Sequence, residues 1–284
     1  MDAALVERTY LEVVDDLRRS DFAARRKLAI APLRCHIEEL RAILALLPER
    51  GRVLDIGTGI GIVPETLLRL GHSVVTVDVA RKDSQREGLD RLIALGAEGH
   101  LAWVGEEEVP IAESSIDVAF AGDVIEHLPG SPKRFLAEIR RLLKPGGHVV
   151  LTTPNAVRLP VRLRVALGYS NWPPVAQYID NGPHLPYHLG HHKEYVAEEL
   201  RFVLERSGFS EIRVRAFEDT LRRRGIVGSM KDIATQDRLF TAYWRERRAF
   251  SPGEAVRALM LAVVSLVPAL RSTLLAVARK PGTP

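Results

Sequence analysis

The sequence predicts an α/β fold built on a doubly wound parallel sheet, and three observations lead to this prediction. An apolar stretch, residues 53–56, runs into the glycine-rich turn 57–61, which opens an amphipathic segment. A second apolar stretch, 73–77, ends in Asp78. Strand-like and helix-like segments then alternate up to residue 152. This alternation is typical of parallel strands joined by helical crossovers.

The first 47 residues predict two amphipathic helices that precede the first strand. Apolar residues recur there at helical spacing and form one stripe, which consists of Leu33, Ile37, Leu40, Leu44 and Leu47. Cys35 is the only cysteine of the chain and belongs to the same helical pattern. We therefore expect a buried thiol, and the chain can form neither an intramolecular disulfide nor a cysteine cluster for zinc.

The turn after the first strand predicts a nucleoside site. Bare glycine backbone lets a polar or anionic ligand approach the start of the following helix, and the carboxylate of Asp78 can hold two ribose hydroxyls. The pattern from Asp55 to Gly61 reads DxGxGxG, whereas dinucleotide sites usually read GxGxxG.

This pattern resembles motif I of the class I S-adenosylmethionine-dependent methyltransferases. Asp78 and three later segments continue the resemblance in the same order; the segments are 105–110 (GEEEVP), 115–120 (SIDVAF) and 142–151 (LLKPGGHVVL). The resemblance implies a Rossmann-like, seven-stranded, mostly parallel sheet with a helical N-terminal cap and substrate-lid insertions. It also implies methyltransferase activity with S-adenosyl-L-methionine as the cofactor.

The resemblance also implies a set of cofactor-binding residues, which are Asp55, Gly57, Thr58, Gly59, Gly61, Asp78, Val79, Glu106, Glu107 and Asp123. Asp78 is expected at the ribose and Glu106 at the adenine amino group. Ligands of such sheets bind beyond the carboxyl ends of the strands. We therefore expect Gly57, Asp78, Glu106 and Asp123 to converge there.

Three histidines are the candidate catalytic residues. Methyl transfer requires alignment and exclusion of water, and it needs a base only when the acceptor must lose a proton of high pKa. His127 follows the fourth predicted strand, and His188 and His191 fall in a segment rich in proline and aromatic residues. Imidazole accepts a proton near neutral pH, so we expect these side chains to serve a hydroxyl acceptor.

A divalent metal is the alternative that we do not favour. The spacing of Asp123, Glu126 and His127 resembles an E-x-x-E-H element of two methyltransferase groups, one acting on hydroxyls of ubiquinone precursors and one on RNA 3′ ends. In both groups these residues hold a metal that orients the acceptor oxygens. Asp123 is one methylene shorter than glutamate, and we predict no metal ligands.

The chain divides into four regions in this interpretation. They are an N-terminal helical cap (1–50), a cofactor-binding core (51–155), a proline- and aromatic-rich lid (156–191) and the end of the core sheet with an inserted apolar helix (192–284). The last region predicts a helix at 193–207, a strand at 212–217 and the apolar helix at 253–267, and residues 273–280 resemble the closing seventh strand of the family's sheet.

The apolar helix is predicted to pack on the core. Its charge-free run, 258–270, spans 13 residues, fewer than the roughly 20 that cross a bilayer. Covering an apolar substrate tunnel and contact with a lipid surface are the two alternatives. The charged, amphipathic N-terminal segment lacks the pattern of a secretory signal, and we expect a cytoplasmic protein.

The favoured function is O-methylation of a hydroxylated small molecule that is aromatic, quinone-like, sugar or lipid-linked. N-methylation is an alternative on the same fold. A second alternative is an RNA-modifying enzyme, because the net charge is +4 and arginines cluster at 222–224 and 245–248. No RNA-binding module is recognisable, so a small-molecule acceptor is preferred. A non-catalytic cofactor-binding or scaffold protein is the third alternative.

Overall fold

The computed structural model describes residues 2–20, 34–79, 83–170, 191–219 and 252–282. In the described part of the chain two helices precede the sheet, α1 (Ala3–Arg19) and α2 (Arg34–Leu44), and both lie in the segment where the sequence predicts two helices. Within the predicted apolar stripe, Ile37 and Leu40 are buried, and Leu33 lies outside the described residues. The thiol of Cys35 is buried and forms no disulfide, as the sequence predicts.

Seven strands form one sheet within the described part of the chain. They are β1 (Arg52–Ile56), β2 (Ser73–Asp78), β3 (Glu98–Leu101), β4 (Ile116–Gly122), β5 (Leu143–Pro154), β6 (Ser210–Phe217) and β7 (Thr273–Arg279). Their order is β3-β2-β1-β4-β5-β7-β6. β7 runs antiparallel to both of its neighbours, and the other pairs are parallel. The predicted seven-stranded, mostly parallel sheet is confirmed.

Helices cover both faces of the sheet. Those after β1 are α3 (Ile62–Arg69), α4 (Asp83–Ala94), α5 (Lys133–Leu142), α6 (Leu159–Ala166), α7 (Ala197–Arg206) and α8 (Pro252–Leu266). Adjacent residues of β1 belong to different buried clusters. Val53 packs with α1, α2 and α3, and Leu54 packs with α5 and α7. Successive side chains of a strand point to opposite faces, so this division shows a sheet buried on both sides.

One predicted helix begins later than expected. α7 begins at Ala197 instead of residue 193, because the backbone amides of His192 and Lys193 donate to the carbonyl of Glu126. The helix starts where Glu199 accepts from the amide of Val196 at 3.1 Å, a local cap of the first turn. The predicted C-terminal elements are found close to their predicted bounds: β6, α8 and β7.

Part of the predicted lid can be placed. Residues Leu159–Ala166 of this region form α6. His188 and the rest of 171–190 lie outside the described residues, as do both arginine clusters. No described helix combines the length and hydropathy that crossing a bilayer requires.

Candidate active site

The glycine-rich turn after β1 adopts left-handed backbone at three positions. The φ angles are +79° at Gly57, +56° at Gly59 and +77° at Gly61, a region that glycine enters without steric cost. A Cβ built on Gly57 would lie 2.6 Å from Val124 Cγ2. A Cβ on Gly59 would meet nothing nearer than a backbone oxygen at 4.0 Å, so the space above Gly59 is open.

Asp55 supports the turn from beneath. Its carboxyl group is buried and accepts a 2.9 Å hydrogen bond from Thr76 Oγ1, which is itself hydrogen-bonded to Thr58 Oγ1. Burial raises the pKa of Asp55 to about 7, and the hydrogen bond from Thr76 acts in the opposite direction. Asp55 and Thr58 therefore hold the turn in shape, and the structure does not place them in the cavity lining.

A cavity of about 390 Å³ opens beyond the carboxyl ends of β1, β2 and β4. Five of the predicted cofactor-binding residues line it together: Gly57, Gly59, Asp78, Val79 and Asp123. Asp78 Oδ2 also accepts from the amide of Gly59 at 3.2 Å, so the end of β2 and the turn after β1 are held together. Cofactor sites commonly have this size and this position.

The predicted adenine-side acids lie elsewhere. Glu106 and Glu107 are exposed and do not line the cavity; Glu106 is 3.5 Å from Arg134. Both of their amides donate to the carbonyl of Trp103, so the chain turns away after that residue. The lining comes from Ala102, Trp103 and Val104 instead, three residues earlier than the resemblance implies.

Gly61 is also outside the lining. It is buried and forms the N-cap of α3 with no side chain to bond the first-turn amides. Its predicted contact with the cofactor stays a prediction.

Asp123 has a strained backbone at the end of β4. Its φ angle is +51°, which is uncommon for a residue other than glycine, and its amide donates to the carbonyl of Thr152 at 3.0 Å. The side chain is exposed to the cavity. Partial removal from water, followed by the negative charge of Asp219, raises the pKa of Asp123, and His191 opposes the rise. Strain of this kind is concentrated at functional sites.

Two of the three candidate histidines meet beside the cavity. The rings of His127 and His191 lie edge to face, with centroids 5.0 Å apart, and His127 lines the cavity. Glu126 is fully buried beneath them, and its Oε2 accepts from Thr153 Oγ1 at 2.9 Å. Burial, and next the charge of Asp123, raises the pKa of Glu126 to about 8.

A carboxylate and an arginine fix the position of His191. Nδ1 of His191 is 2.8 Å from Glu194 Oε1. Arg158 donates two hydrogen bonds to the carboxylate of Glu194, at 2.5 and 3.0 Å. The hydrogen bond with Glu194 is the main cause of a raised pKa for His191. This arrangement orients the imidazole ring and stabilises its protonated form.

Ligand atoms of Glu126, His127 and His191 lie within 4.8 Å of one another. One carboxylate and two imidazoles suit a divalent transition metal, so this donor set fits an ion. It differs from the set in the resembling element, because His191 takes the place of Asp123. The carboxylate of Glu194 on His191 is the kind of outer contact that orients metal-bound histidines.

Several residues of this site could not be found from the sequence. Trp103 and Phe135 line the cavity, but no local pattern distinguishes them from core residues. Glu194 and Arg158 are 36 residues apart, and only the fold brings them together. A weak signal existed for Trp103, since it lies two residues before the loop that the resemblance identified.

Comparison with known proteins gives one family match and several relatives. The family described as "Methyltransferase domain" matches residues 23–214, which is more than half of the chain. A ubiquinone biosynthesis O-methyltransferase of Cereibacter sphaeroides is 34% identical over 152 residues, covering 51% of this chain and 56% of the relative. A protein of the same name from Xanthomonas oryzae is 28% identical, covering 59% and 64%. The chain therefore spans less than two-thirds of either relative.

A solved structure supports the fold. An S-adenosylmethionine-dependent methyltransferase from Archaeoglobus fulgidus superposes with a TM-score of 0.52 at 18% identity, covering 86% of this chain and 92% of the other. At this identity the likeness concerns the fold alone.

Proposed function

Because the chain belongs to the methyltransferase domain family, within the class I S-adenosylmethionine-dependent group, we propose that it transfers a methyl group to a hydroxyl of a quinone-like small molecule. The observation that carries this proposal is the position of His127. It lines the cavity together with Asp123, and its ring contacts the ring of His191. The names of the curated relatives support the same acceptor class.

The residues around the cavity fit S-adenosylmethionine. Gly57 and Gly59 present backbone without side chains, in the left-handed conformation. The buried acid Asp78 lies at the end of the neighbouring strand β2, where it can accept hydrogen bonds from ribose hydroxyls. Trp103 and Phe135 add apolar surface for an adenine ring. When bound, S-adenosylmethionine supplies a methyl group that its sulfonium has already activated.

The histidines provide the base on the acceptor side. His127 is exposed in the cavity and can accept the acceptor's hydroxyl proton, and the ring of His191 lies against it. Glu194 and Arg158 hold His191 in place. Preorganised groups of this kind raise the rate because they need not reorganise during the reaction.

The same side chains also fit a divalent ion. An ion held by Glu126, His127 and His191 would lower the pKa of the acceptor hydroxyl and orient it. Our proposal is methyl transfer without such an ion, in which case activity survives removal of metals by a chelator. Loss of activity in the chelator, with recovery on adding Mg²⁺ or Mn²⁺, would contradict this proposal. It would indicate that a bound metal, and not a histidine base, activates the acceptor hydroxyl.

The cofactor part of the proposal is tested by calorimetric titration with S-adenosylmethionine. Asp78→Ala should weaken binding by about 30- to 150-fold, which corresponds to roughly 2–3 kcal/mol for paired hydrogen bonds to a charged group. Unchanged affinity would mean that the nucleoside lies elsewhere. No binding by the unaltered protein at high micromolar cofactor would favour a scaffold role.

The acceptor part is tested with isotopically labelled methyl donor and three matched substrates. They are a catechol with an alkyl chain, a primary amine with the same chain, and a short RNA. The proposal expects the label on the catechol oxygen, with at least a tenfold loss of kcat in His127→Ala and unchanged affinity for the cofactor. Label on the amine nitrogen or on RNA would contradict O-methylation of a small molecule.

We also propose that the protein contacts a lipid surface beside the active site. α8 leaves Val256, Leu259 and Leu266 exposed, and Leu163 of α6 and the following residue Leu167 are exposed as well. α6 follows β5 and α8 leads into β7, so both approach the sheet edge that carries the cavity. Exposed apolar side chains on neighbouring elements are typical of binding surfaces, and a lipid-linked acceptor would reach the site from here.

Vesicles of phosphatidylglycerol and phosphatidylcholine test this contact. Leu259→Asp should reduce co-sedimentation with the vesicles at least fivefold. Leu95→Asp is the matched control, because Leu95 is also exposed but follows α4 at the opposite edge of the sheet. Equal losses in both variants would contradict a localised contact.

A further inference from the structure

Cys35, His36 and Glu39 form a second cluster of metal-binding side chains, on α2. One ligand atom from each lies within 4.8 Å of the other two. Cys35 and Glu39 are buried, and His36 is partly buried. The proposed methyl transfer uses none of the three.

The helical spacing explains how these side chains meet. Cys35 and Glu39 are four residues apart, and His36 and Glu39 are three apart, so all three lie on adjoining parts of one helix face. The hydroxyl of Tyr10 is 3.2 Å from Nδ1 of His36 and holds its ring against α1. Metal-bound histidines commonly have such an outer hydrogen-bonding partner.

The charges around this cluster favour a cation. Glu39 accepts a 2.7 Å hydrogen bond from Thr152 Oγ1, and no ion pair of the described residues joins it to a lysine or arginine. Among the described residues, Asp123, Asp219 and Asp55 are near enough to act on its carboxyl group. All three are acids. A divalent ion bound here would displace the proton of Glu39 and compensate the carboxylate that forms.

Two arginines of the described residues near this cluster pair with Glu38 and not with Glu39. Arg34 and Arg215 both pair with Glu38, at 3.3 and 2.7 Å. Asp219 Oδ1 accepts from the amide of Cys35 at 3.3 Å, which brings a further carboxylate next to the thiol. The side of α2 that carries Glu39 is therefore acidic.

The donor atoms determine the class of ion. A thiolate, an imidazole and a carboxylate together suit Zn²⁺, whereas Mg²⁺ and Ca²⁺ prefer oxygen ligands. We propose that Cys35, His36 and Glu39 bind one zinc-class divalent ion. Three protein ligands are the number found in zinc sites that keep a fourth position open.

The cluster lies next to the cavity. A Cβ built on Gly122, which lines the cavity, would be 3.1 Å from Glu39 Oε1. An ion at this place would lie under the carboxyl edge of the sheet, on the face opposite Glu126. The adjacent residues Thr152 and Thr153 of β5 donate to Glu39 and Glu126 respectively, and adjacent residues of a strand point to opposite faces.

Cobalt spectroscopy tests the site in the full chain. Protein freed of metals with a chelator and titrated with Co²⁺ should bind one ion that gives a thiolate-to-cobalt charge-transfer band, and Zn²⁺ should displace it. Cys35→Ser should remove the band, and Glu39→Gln should weaken binding at least tenfold. The double variant His127→Ala with His191→Ala should keep the band, because that histidine cluster contains no sulfur. Co²⁺ binding without the band would overturn the proposal.

Alkylation of the unaltered protein gives a second measurement that does not depend on the folding of a variant. Cys35 is the only cysteine, so mass spectrometry after treatment with iodoacetamide reports on this thiol alone. Zn²⁺ should slow alkylation at least tenfold, and Mg²⁺ should not. Equal rates with and without Zn²⁺ would overturn the proposal, whatever the outcome of the cofactor titration and the methyl-transfer assay.

Discussion

The buried carboxyl group of Asp55 makes the stability of this protein depend on pH. Its pKa is raised from 3.8 to about 7, mainly by burial. At pH values between these two pKa values, Asp55 is protonated in the folded protein and ionised in the unfolded chain. Stability from this group is therefore complete at low pH and is lost as the pH rises towards 7.

The expected size follows from the shift. A rise of about 3 pKa units corresponds to about 4 kcal/mol at most, at 1.36 kcal/mol per unit. For the interval from pH 5 to pH 8, the linkage relation gives a loss of about 2.5 kcal/mol in the free energy of unfolding. Asp55→Asn removes the titrating group and keeps the shape of the side chain, so the variant should lack this loss.

Urea unfolding of both proteins at several pH values measures this effect. The difference between variant and unaltered protein should move by about 2.5 kcal/mol in favour of the variant from pH 5 to pH 8. Glu126, whose pKa is raised to about 8, titrates in both proteins and cancels in the difference. The pKa of Glu39 is also raised to about 8, mainly by burial and with a minor contribution from the charge of Asp55, so its titration cancels in large part. A difference that stays constant across this interval would refute the buried, protonated carboxyl group.

Three further substitutions test other contacts. Gly105→Ala should cost roughly 3 kcal/mol or more in urea unfolding, because φ is +92° and the new Cβ would be 2.5 Å from the amide nitrogen of Phe135. Gly59→Val should lower affinity for S-adenosylmethionine at least tenfold in calorimetry, because its side chain would enter the open space of the cavity. Glu194→Gln should lower kcat at least tenfold, because His191 loses the carboxylate that orients it.

Each of these has a matched control. Gly96→Ala has the same backbone strain, with φ at +97° and nothing within 4 Å, and should cost about 1 kcal/mol. Gly71→Val is likewise strained in open space and should leave cofactor affinity unchanged. Glu198→Gln alters an exposed acid of α7 and should leave kcat unchanged. An equal effect of variant and control in any pair would contradict the contact concerned.

The sequence alone was sufficient for the fold because the relevant signals are local. Apolar runs, helical periodicity and turn glycines each span only a few residues, and they predicted the sheet and its helices. The closing strand β7 came from the resemblance, and the structure showed that it runs antiparallel to its neighbours. The position where α7 begins could not be predicted, because a long-range contact with Glu126 extends the preceding loop.

For the candidate site, the sequence by itself predicted the glycine turn, Asp78 and the histidine after β4, since each lies at or shortly after the end of a strand that a local pattern marks; Asp123 was implied by the resemblance. Only the tertiary structure decided which side chains face the cavity. It replaced Glu106 with Trp103 in the lining, and it placed Glu194 against His191. It also brought Glu39 of α2 under Gly122. The physical reason is that residues far apart in the chain meet only through packing, and the direction of a side chain depends on the turn that carries it.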